Sequence, residues 1–367
     1  MKVALVYDRV NKIGGAEKVL LALHKIWPKA PLYTAVHQKD SSAWASDFKV
    51  IPSYLQKIPF FRSHHEILPL LTPSAFESFN FDEFDVVISV TSAEAKSIIT
   101  KPATLHICYC LTPTRYLWSG ADIYSENTGF SILSFLIKYL VKFFSPLMRI
   151  QDYFASQRPD LYLAISHTVK KRISKYYRKT SEVIFPPVDN RLFENKIGEG
   201  KYYLVVSRLV AYKRIDLIIK VFNDLKLPLK IVGTGNQLNA LKKASSGNVE
   251  FLGQVGDASL AKLYASCTAL IIAAREDFGI TSLEAQACGK PVIAFGKAGI
   301  KETVIDHKTG ILFSQQTEED LKLAITKFKR LQFKPSDCHQ NARKYSQKIF
   351  IDKFSEFVKT QWKIHRL

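Results

Sequence analysis

The sequence predicts an α/β protein built from two doubly wound parallel sheets. Short apolar runs, typical of buried parallel strands, alternate with stretches of helical periodicity. The alternation is interrupted by a polar, glycine-containing segment, residues 190–200, and then begins again. At 367 residues the chain is long enough to bury two separate cores.

The first half opens with a strand followed by a glycine pair. Residues 2–7 alternate and then run apolar, and the glycine pair Gly14-Gly15 precedes a helical pattern that includes Val19 and Leu23. This is the layout of a ligand-facing loop in a doubly wound sheet, although the motif is not G-x-G-x-x-G and its signal is modest. Further strands are predicted at residues 32–36, 86–90, 105–110, 161–166 and 182–185.

The second half restarts the series of strands and helices. Strands are predicted at residues 203–207, 229–232, 249–252, 268–273, 291–295 and 310–313. Helices are predicted at residues 214–225, 236–244, 259–267, 281–288 and 318–330. The short strand–helix–strand repeats predict a second doubly wound sheet. We therefore assign residues 1–189 to an N-terminal domain and 190–340 to a C-terminal domain, with an amphipathic helix over residues 341–367 expected to pack back towards the first domain.

Composition and charge limit the partners of this chain. The 47% hydrophobic content is that of a folded globular protein rather than a disordered one. The formal net charge of +19, from 52 basic and 33 acidic residues, predicts an anionic partner: nucleic acid, an anionic membrane surface or a phosphorylated substrate. The sequence has neither aromatic–basic interleaving nor a finger or recognition-helix signature, so we expect no nucleic-acid partner.

The cysteines and the first residues indicate a cytoplasmic protein. The five cysteines are scattered and odd in number, which does not fit a disulfide framework and suggests a reducing compartment. Met1-Lys2 leads directly into a strand pattern, without the features of a signal peptide.

One apolar stretch leaves the relation to membranes open. Residues 130–144 are apolar but contain Lys138 and Lys142, and they are too short and too charged for a transmembrane helix. Their helical stripe fits either a core-facing helix or an interfacial helix lying on a bilayer. The first interpretation is preferred, and the basic run over residues 170–179 adds support to the second. Peripheral attachment to the inner face of the cell membrane is therefore an open alternative.

The clearest candidate for chemistry is a carboxylate at the end of a predicted strand. The apolar residues 269–273 lead to Glu276, Gly279 supplies a turn, and a helix is predicted to begin near Thr281 with Glu284 in its first turn. The amides that begin a helix are unpaired and attract anions. Two simpler interpretations remain open: Thr281 and Glu284 fit a capping box, and Glu276 fits a solvated surface charge.

Two cations are predicted at the same edge of the second sheet. Arg208 follows the first strand of that domain and Lys213 opens the next helix, a placement that suits a pyrophosphate. Gly233 and Gly235 follow the next strand and permit close backbone approach, which alone is weak evidence. Because the carboxyl ends of parallel strands share one edge, we expect Arg208, Lys213, Glu276 and Glu284 to converge there.

Several motifs together resemble a known family. They are Glu276-x7-Glu284 with Phe278-Gly279, Ser207-Arg208 with Lys213-Arg214, Gly14-Gly15-Ala16-Glu17, Thr112-Pro113-Thr114-Arg115-Tyr116 and Ile184-Phe185-Pro186-Pro187-Val188-Asp189. The sequence resembles retaining glycosyltransferases of family 4 (glycosyl transferases group 1), in the mannosyltransferase branch of O-antigen and capsule assembly. The resemblance implies the GT-B fold, in which an acceptor-side and a nucleotide-sugar-binding Rossmann-like domain face a central cleft.

The resemblance also implies roles for individual residues. Arg208 and Lys213 would neutralise the departing diphosphate, Glu276 would hold hydroxyls of the transferred sugar, and Glu284 would accept hydrogen bonds from the ribose. The remaining positions with implied roles are Phe278, Gly279 and Ile280 beside the sugar, Gly233, Gln254 and Val255 near the base, and Gly14, Gly15, Thr112 and Arg115 facing the acceptor and the diphosphate. The family implies neither a metal nor a cofactor, and we find no Asp-x-Asp pair at a strand end.

The activity implied is that of a hexosyltransferase. GDP-mannose is the favoured donor and a UDP-sugar the second, with a lipid-linked or glycan acceptor in cell-surface polysaccharide synthesis. The alternatives are a sugar-nucleotide epimerase of the same architecture and a non-catalytic relative. The second alternative arises because Leu111 occupies a position where related sequences commonly carry His. His106 is expected to be a buried, satisfied histidine without a role in the site.

Overall fold

The structure is a computed structural model that describes residues 1–11, 14–58, 71–119 and 132–367, with the backbone alone for residues 132–142. The chain divides into two compact units. The first comprises Met1–Pro186 together with Phe350–Leu367, and the second comprises Pro187–Ile349.

The first unit is organised around a parallel sheet. Its described strands are β1 (Val3–Tyr7), β2 (Leu32–Thr34), β3 (Val50–Pro52), β4 (Val86–Thr91), β5 (Leu105–Cys110), β6 (Leu161–Ala164) and β7 (Glu182–Val183). They are ordered β3-β2-β1-β4-β5-β6-β7, and all pairs are parallel. Every residue of β1, β4 and β5 is buried, which explains why these strands are continuous apolar runs rather than alternating ones.

Helices cover this sheet. Those described in the first unit are α1 (Gly15–Ile26), α2 (Thr72–Glu77), α3 (Ile132–Ala155) and α4 (His167–Tyr177). α4 begins at Ser166, whose side chain accepts a hydrogen bond from the Val169 amide at 3.1 Å. Residues 130–144, for which core-facing and interfacial helices were both considered, fall partly within α3, but most of their side chains lie outside the described residues.

The second unit contains the other parallel sheet. Its strands are β8 (Tyr203–Val206), β9 (Leu229–Val232), β10 (Val249–Gly253), β11 (Leu270–Ile272), β12 (Val292–Phe295) and β13 (Gly310–Phe313). They are ordered β10-β9-β8-β11-β12-β13, all in parallel. The helices are α5 (Ile215–Leu225), α6 (Leu238–Lys243), α7 (Asp257–Ser266), α8 (Ile280–Ala287), α9 (Ile300–Thr303), α10 (Glu318–Arg330) and α11 (Pro335–Arg343). The prediction of two doubly wound α/β domains is confirmed.

The last helix, α12 (Gln347–His365), begins in the second unit and continues into the first. Its buried residues Phe350 and Phe354 lie against the ring of Tyr109 on β5, with centroid distances of 6.1 and 5.5 Å. Residues 341–349 belong to the second unit, whereas the sequence analysis grouped them with the terminal helix.

The division between the units falls at Pro186/Pro187 rather than at residues 189/190. The Val188 amide donates to the carbonyl oxygen of Tyr345 at 2.8 Å, and Val188 forms an isolated parallel bridge with Ser346. These bonds attach the segment before Asp189 to the second unit, which explains the earlier boundary.

Two glycines allow the loops of the second sheet to meet. Gly233 has φ +133°, and a Cβ atom there would lie 1.9 Å from the carbonyl oxygen of Ser207. A Cβ on Gly235 would lie 2.2 Å from the carbonyl oxygen of Leu209. Hydrogen bonds from Ser207 N to Val232 O and from Leu209 N to Thr234 O hold the two loops together. The G-x-G pattern is therefore required by backbone packing, whether or not a ligand is bound.

His106 on β5 is fully buried. Its Nε2 atom lies 2.8 Å from Ser89 Oγ, while Nδ1 has no hydrogen-bond partner. The expectation of a buried histidine is confirmed, but its ring is only half satisfied. Burial, with a smaller contribution from Arg158, lowers the pKa of His106 to about 3.

We expect Gly233→Ala to lower the free energy of unfolding by more than about 2 kcal/mol, because alanine is strained at this φ and its methyl group would collide with Ser207. Urea denaturation of the unliganded protein measures this. The matched control is Gly247→Ala, since no atom lies within 4 Å of a Cβ at that glycine. Equal stability of the two variants would contradict the packing role of Gly233.

We also expect His106 to weaken the fold in acid. The unfolded state binds a proton below about pH 6.5, whereas native His106 stays neutral down to about pH 3, so stability falls as the pH is lowered. One proton corresponds to a slope of about 1.4 kcal/mol per pH unit. Urea titrations between pH 6 and pH 4 should show a slope smaller by about this amount in His106→Gln, and an unchanged slope would count against the assignment.

Candidate functional site

The second unit places an ion pair at the carboxyl edge of its sheet. Lys213 ends a short 3₁₀ turn after β8, and Glu276 follows β11, which pairs in parallel with β8. The Lys213 Nζ atom lies 2.6 Å from Glu276 Oε1, and the two side chains are 15% and 18% exposed. This is the geometry of a strong charge-assisted hydrogen bond that remains accessible to a ligand.

A recess surrounds this pair. It is lined by Lys213, Glu276, Ser207 and Thr281, with a floor of apolar residues from β8, α5 and β11. The apolar lining residues are Val205, Val206, Ile215, Ile218, Ile271, Ile272, Ala273 and Ala274. Residues from the ends of two neighbouring strands thus meet at a single opening, as the parallel arrangement predicts.

An aromatic ring lies beside both predicted cations. The Lys213 Nζ atom is 5.4 Å and the Arg208 Cζ atom 5.9 Å from the centroid of the Tyr212 ring. The exposed Arg208 guanidinium also donates a hydrogen bond to the Tyr212 hydroxyl. Tyr212 was not among the residues predicted from the sequence, although its position between Arg208 and Lys213 was a signal. Both cations thus lie within cation–π distance of one aromatic ring.

The loop after β12 hydrogen-bonds the backbone of Glu276. Glu276 forms an isolated parallel bridge with Ala298, and the Gly299 amide donates to the carbonyl oxygen of Glu276 at 2.9 Å. A Cβ on Gly299 would lie 2.0 Å from the carbonyl oxygen of Asp277. The sequence analysis did not identify this loop. Its glycine permits the close approach that fixes the backbone of Glu276.

Glu284 lies one turn further into its helix than the sequence predicts. α8 begins at Ile280 with Gly279 as its N-cap, at φ +84°, so Glu284 falls in the second turn and not the first. The capping-box interpretation is therefore wrong, because Thr281 is inside the helix. The Glu284 side chain is 3% exposed and accepts a hydrogen bond from the Tyr264 hydroxyl at 2.8 Å. Burial, followed by the Glu284 charge, raises the pKa of Tyr264 well above its usual value.

Three residues with predicted sugar contacts lie at or just before the start of α8. Phe278 is buried, and its ring lies 5.7 Å from that of Tyr345, whose hydroxyl donates to Glu302 O at 2.6 Å. The Phe278 side chain is thus a packing group. Gly279 and Ile280 form the helix start, where backbone amides lack partners within the helix. Any contact of these residues with an anion or a sugar would come from the backbone.

The predicted base contacts lie on two neighbouring loops. The Gly233 amide donates to the carbonyl oxygen of Gly253 at 2.7 Å, which joins the loops after β9 and β10. Gln254 is exposed and Val255 is half-buried in the second of these loops. Gly233 also packs against Ser207, which lines the recess.

The predicted acceptor loops lie in the first unit. Gly14 is the exposed N-cap of α1, with extended backbone at φ −169°, and Gly15 is the first residue of that helix. Thr112 is buried and accepts a hydrogen bond from the Arg172 guanidinium at 3.2 Å, while Arg115 is half-buried. A Cβ on Gly14 would lie 3.2 Å from Glu17 Oε2, a tight contact.

A buried ion pair holds the loop that follows β5. The Lys96 ammonium lies 2.6 Å from Asp152 Oδ1, and both side chains are almost fully buried. Thr114 Oγ1 donates to the same carboxylate oxygen at 2.6 Å, and Trp118 Nε1 donates to Oδ2 at 2.7 Å. Burial alone would lower the pKa of Lys96, but the Asp152 charge raises it well above its usual value. The sequence analysis did not identify this pair.

The described part of the chain shows neither a metal-binding cluster nor a membrane-spanning helix. Across residues 1–11, 14–58, 71–119 and 132–367, no group of three or more His, Cys, Asp or Glu side chains is placed to hold a metal ion. Among the described helices, none is both long and apolar enough to cross a bilayer.

Comparison with known proteins finds a family similar to the second unit. The family described as Glycosyl transferases group 1 matches residues 189–345. An uncharacterized glycosyltransferase of Methanocaldococcus jannaschii is 26% identical over 205 residues, 54% of this chain and 58% of the relative. A GDP-mannose-dependent alpha-(1-6)-phosphatidylinositol monomannoside mannosyltransferase of Mycolicibacterium smegmatis is 32% identical over 147 residues, 35% of this chain and 38% of the relative. The chain thus spans about half the length of these curated relatives.

Solved structures match the whole architecture. Anabaena HepE in complex with UDP and glucose superposes with a TM-score of 0.71 at 16% identity, covering 98% of this chain and 99% of HepE. The lipopolysaccharide outer core galactosyltransferase WaaB superposes with a TM-score of 0.66 at 15% identity, covering 98% of this chain and all of WaaB. The fold is therefore the one seen in GT-B glycosyltransferase structures, and residues 189–345 are similar to the Glycosyl transferases group 1 family.

Proposed function

We propose that the chain is a retaining hexosyltransferase. It moves a sugar, mannose in the favoured case, from a nucleoside-diphosphate donor to a lipid-linked or glycan acceptor in cell-surface polysaccharide synthesis. The observation that carries this proposal is the Lys213–Glu276 ion pair, which lies in an accessible recess of a glycosyl transferases group 1 domain.

Lys213 and Glu276 have different roles in the proposed reaction. As the sugar–phosphate bond breaks, negative charge develops on the diphosphate, and the Lys213 ammonium and the Arg208 guanidinium stabilise it. The Glu276 carboxylate accepts hydrogen bonds from hydroxyls of the transferred sugar. Its Oε1 atom already accepts a bond from Lys213 at 2.6 Å, so Glu276 is suited to orienting a sugar rather than to attacking the anomeric carbon.

The other groups complete the donor site. Backbone amides at the start of α8 supply further positive potential, which takes the place of a metal ion in this proposal, and no cofactor is required. In this proposal Glu284, whose carboxylate accepts a hydrogen bond from the Tyr264 hydroxyl, contacts the donor ribose. The exposed loop with Gln254 and Val255 lies beside Gly233 and would bind the base.

The choice of donor and acceptor rests on relatives. A relative named as GDP-mannose-dependent supports GDP-mannose, and structures of HepE with UDP and UDP-glucose support a UDP-sugar as second choice. A lipid-linked acceptor would place the protein in the cytoplasm, peripherally on the inner face of the membrane. The excess of 19 positive charges suits both a nucleoside diphosphate and an anionic membrane surface.

We expect Glu276→Ala and Lys213→Ala each to reduce sugar transfer at least 100-fold while circular dichroism stays that of the wild type. Each variant removes a charge that the transition state requires. A thermal-shift screen of nucleotide sugars first identifies the donor, since a ligand stabilises only the state that binds it. Transfer is then measured with that donor.

Two variants serve as controls. Glu319→Ala and Lys220→Ala remove exposed charges from α10 and α5 in the same unit. They should transfer at the wild-type rate. Near-normal turnover by both Glu276→Ala and Lys213→Ala would refute the site. Conversion of the donor without any acceptor would indicate an epimerase, and donor binding without any reaction would indicate a non-catalytic relative.

A further inference from the structure

We propose that the outward face of α3 is a membrane-docking surface that seats the first unit on an anionic bilayer. The surface, called here the α3 stripe, consists of Phe143, Leu147, Ile150 and Phe154. The inference deepens the proposed function, because a lipid-linked acceptor has to be reached at a membrane. It names the part of the chain that makes the contact.

The α3 stripe is continuous and exposed. Its residues are spaced by four, three and four positions, which places them within about 60° of one another on the helix and along about 16 Å of its axis. Their exposed fractions are 78%, 54%, 53% and 65%. Single exposed apolar residues are ordinary, but four on one line of a helix mark an interaction surface.

The opposite face of α3 already packs into the unit. Met148, Asp152 and Ala155 are buried there, and Asp152 is held by Lys96 and Thr114. The α3 stripe therefore lies opposite the face that packs into the unit, and it is unnecessary for packing the described core. An apolar face kept outward on a fixed helix is the arrangement of an interfacial helix.

The segment that contains and follows the α3 stripe is rich in positive charge. Residues 143–181 contain eight Lys or Arg residues and only two acidic ones, Asp152 and Asp160, of which Asp152 is buried against Lys96. The basic residues are Arg149, Arg158, Lys170, Lys171, Arg172, Lys175, Arg178 and Lys179. Among them Lys170, Lys171, Lys175 and Arg178 are exposed.

Hydrogen bonds place these charges near the end of the α3 stripe. The Gln157 side chain, just after α3, donates to the carbonyl oxygen of Tyr177 at the end of α4 at 3.0 Å. Lys179 Nζ donates back to the carbonyl oxygen of Gln157 at 3.3 Å. Trp118 links the same two helices, since it bonds Asp152 on α3 and stacks on Tyr176 of α4 at 5.3 Å.

The apolar stripe and the basic residues together indicate that the partner of this surface is a lipid bilayer. Apolar side chains entering the acyl boundary and cations contacting anionic headgroups are the two terms that bind interfacial helices. A second copy of this chain would bring the same basic surface and a formal charge of +19, so like charges would oppose a symmetric contact. An anionic bilayer can bind both the apolar α3 stripe and the basic residues near it.

Vesicle flotation of the full chain tests the proposal. We expect binding to vesicles of phosphatidylglycerol and phosphatidylcholine at low salt, with at least tenfold weaker binding to phosphatidylcholine alone. The double variant Phe143→Gln with Phe154→Gln should lose at least tenfold in partitioning to the anionic vesicles, because both large apolar groups are replaced. The variant Lys175→Gln with Arg178→Gln should bind more weakly and show a smaller dependence on salt.

The matched control is Leu323→Gln with Ile364→Gln, which replaces two exposed apolar residues on α10 and α12. It should float as the wild type does. Equal flotation of the α3 stripe variant and the wild type, or no binding of the wild type to anionic vesicles, would overturn the proposal. So would a dimer, seen by light scattering, that the α3 stripe variant dissociates.

A second measurement separates this inference from the transferase proposal. The thermal shift caused by the nucleotide sugar is recorded on the α3 stripe variant as well as on the wild type. A retained shift with lost flotation supports the docking surface. If the variant loses flotation and the thermal shift, and its circular dichroism also changes, the variant is misfolded and the assignment of the α3 stripe is overturned. If the protein floats but shows no thermal shift with any nucleotide sugar, only the donor site is refuted.

Discussion

The ion pair between Lys213 and Glu276 is the contact on which the candidate site depends. It exists because β8 and β11 are parallel neighbours, so the segments that leave their carboxyl ends emerge side by side. The Tyr212 ring contacts both Arg208 and Lys213, and Gly299 lets the loop after β12 hydrogen-bond the backbone of Glu276. A salt bridge formed before a ligand arrives also restricts the lysine side chain, which reduces the entropy lost on binding.

Each unit holds a lysine–carboxylate pair with a nitrogen–oxygen distance of 2.6 Å, but burial gives the two pairs different roles. The Lys96–Asp152 pair in the first unit is enclosed and bonded to Thr114 and Trp118, so it fixes a loop and leaves no room for a ligand. Removing one partner of such a pair would leave an uncompensated buried charge. The Lys213–Glu276 pair is partly exposed in a recess, so its charges remain accessible, as the proposed binding of a diphosphate and a sugar requires.

The sequence predicted the fold well and the site in part. The difference arises because strands and helices follow from local sequence patterns, whereas site contacts join residues far apart in the chain. Apolar runs located twelve of the described strands; β3 was missed because it is short, half-buried and ends in Pro52. Lys213 and Glu276 were predicted because strand ends in parallel sheets share an edge. Three contacts were not predicted: Tyr264 with Glu284, Asp152 with Lys96, and Gly299 with Glu276. Each joins residues 20 or more positions apart, and no local sequence pattern indicates such a contact.

Calorimetric titration with GDP and UDP tests the central claim most directly, namely that Lys213 binds the diphosphate of the donor. Lys213→Met should weaken the affinity for the nucleoside diphosphate that binds by at least tenfold, because a charge-assisted contact with phosphate is lost. Lys242→Met, which removes an exposed charge from α6 of the same unit, should bind as the wild type does. Wild-type affinity in Lys213→Met, or no binding of either nucleotide to the wild-type protein, would contradict the account.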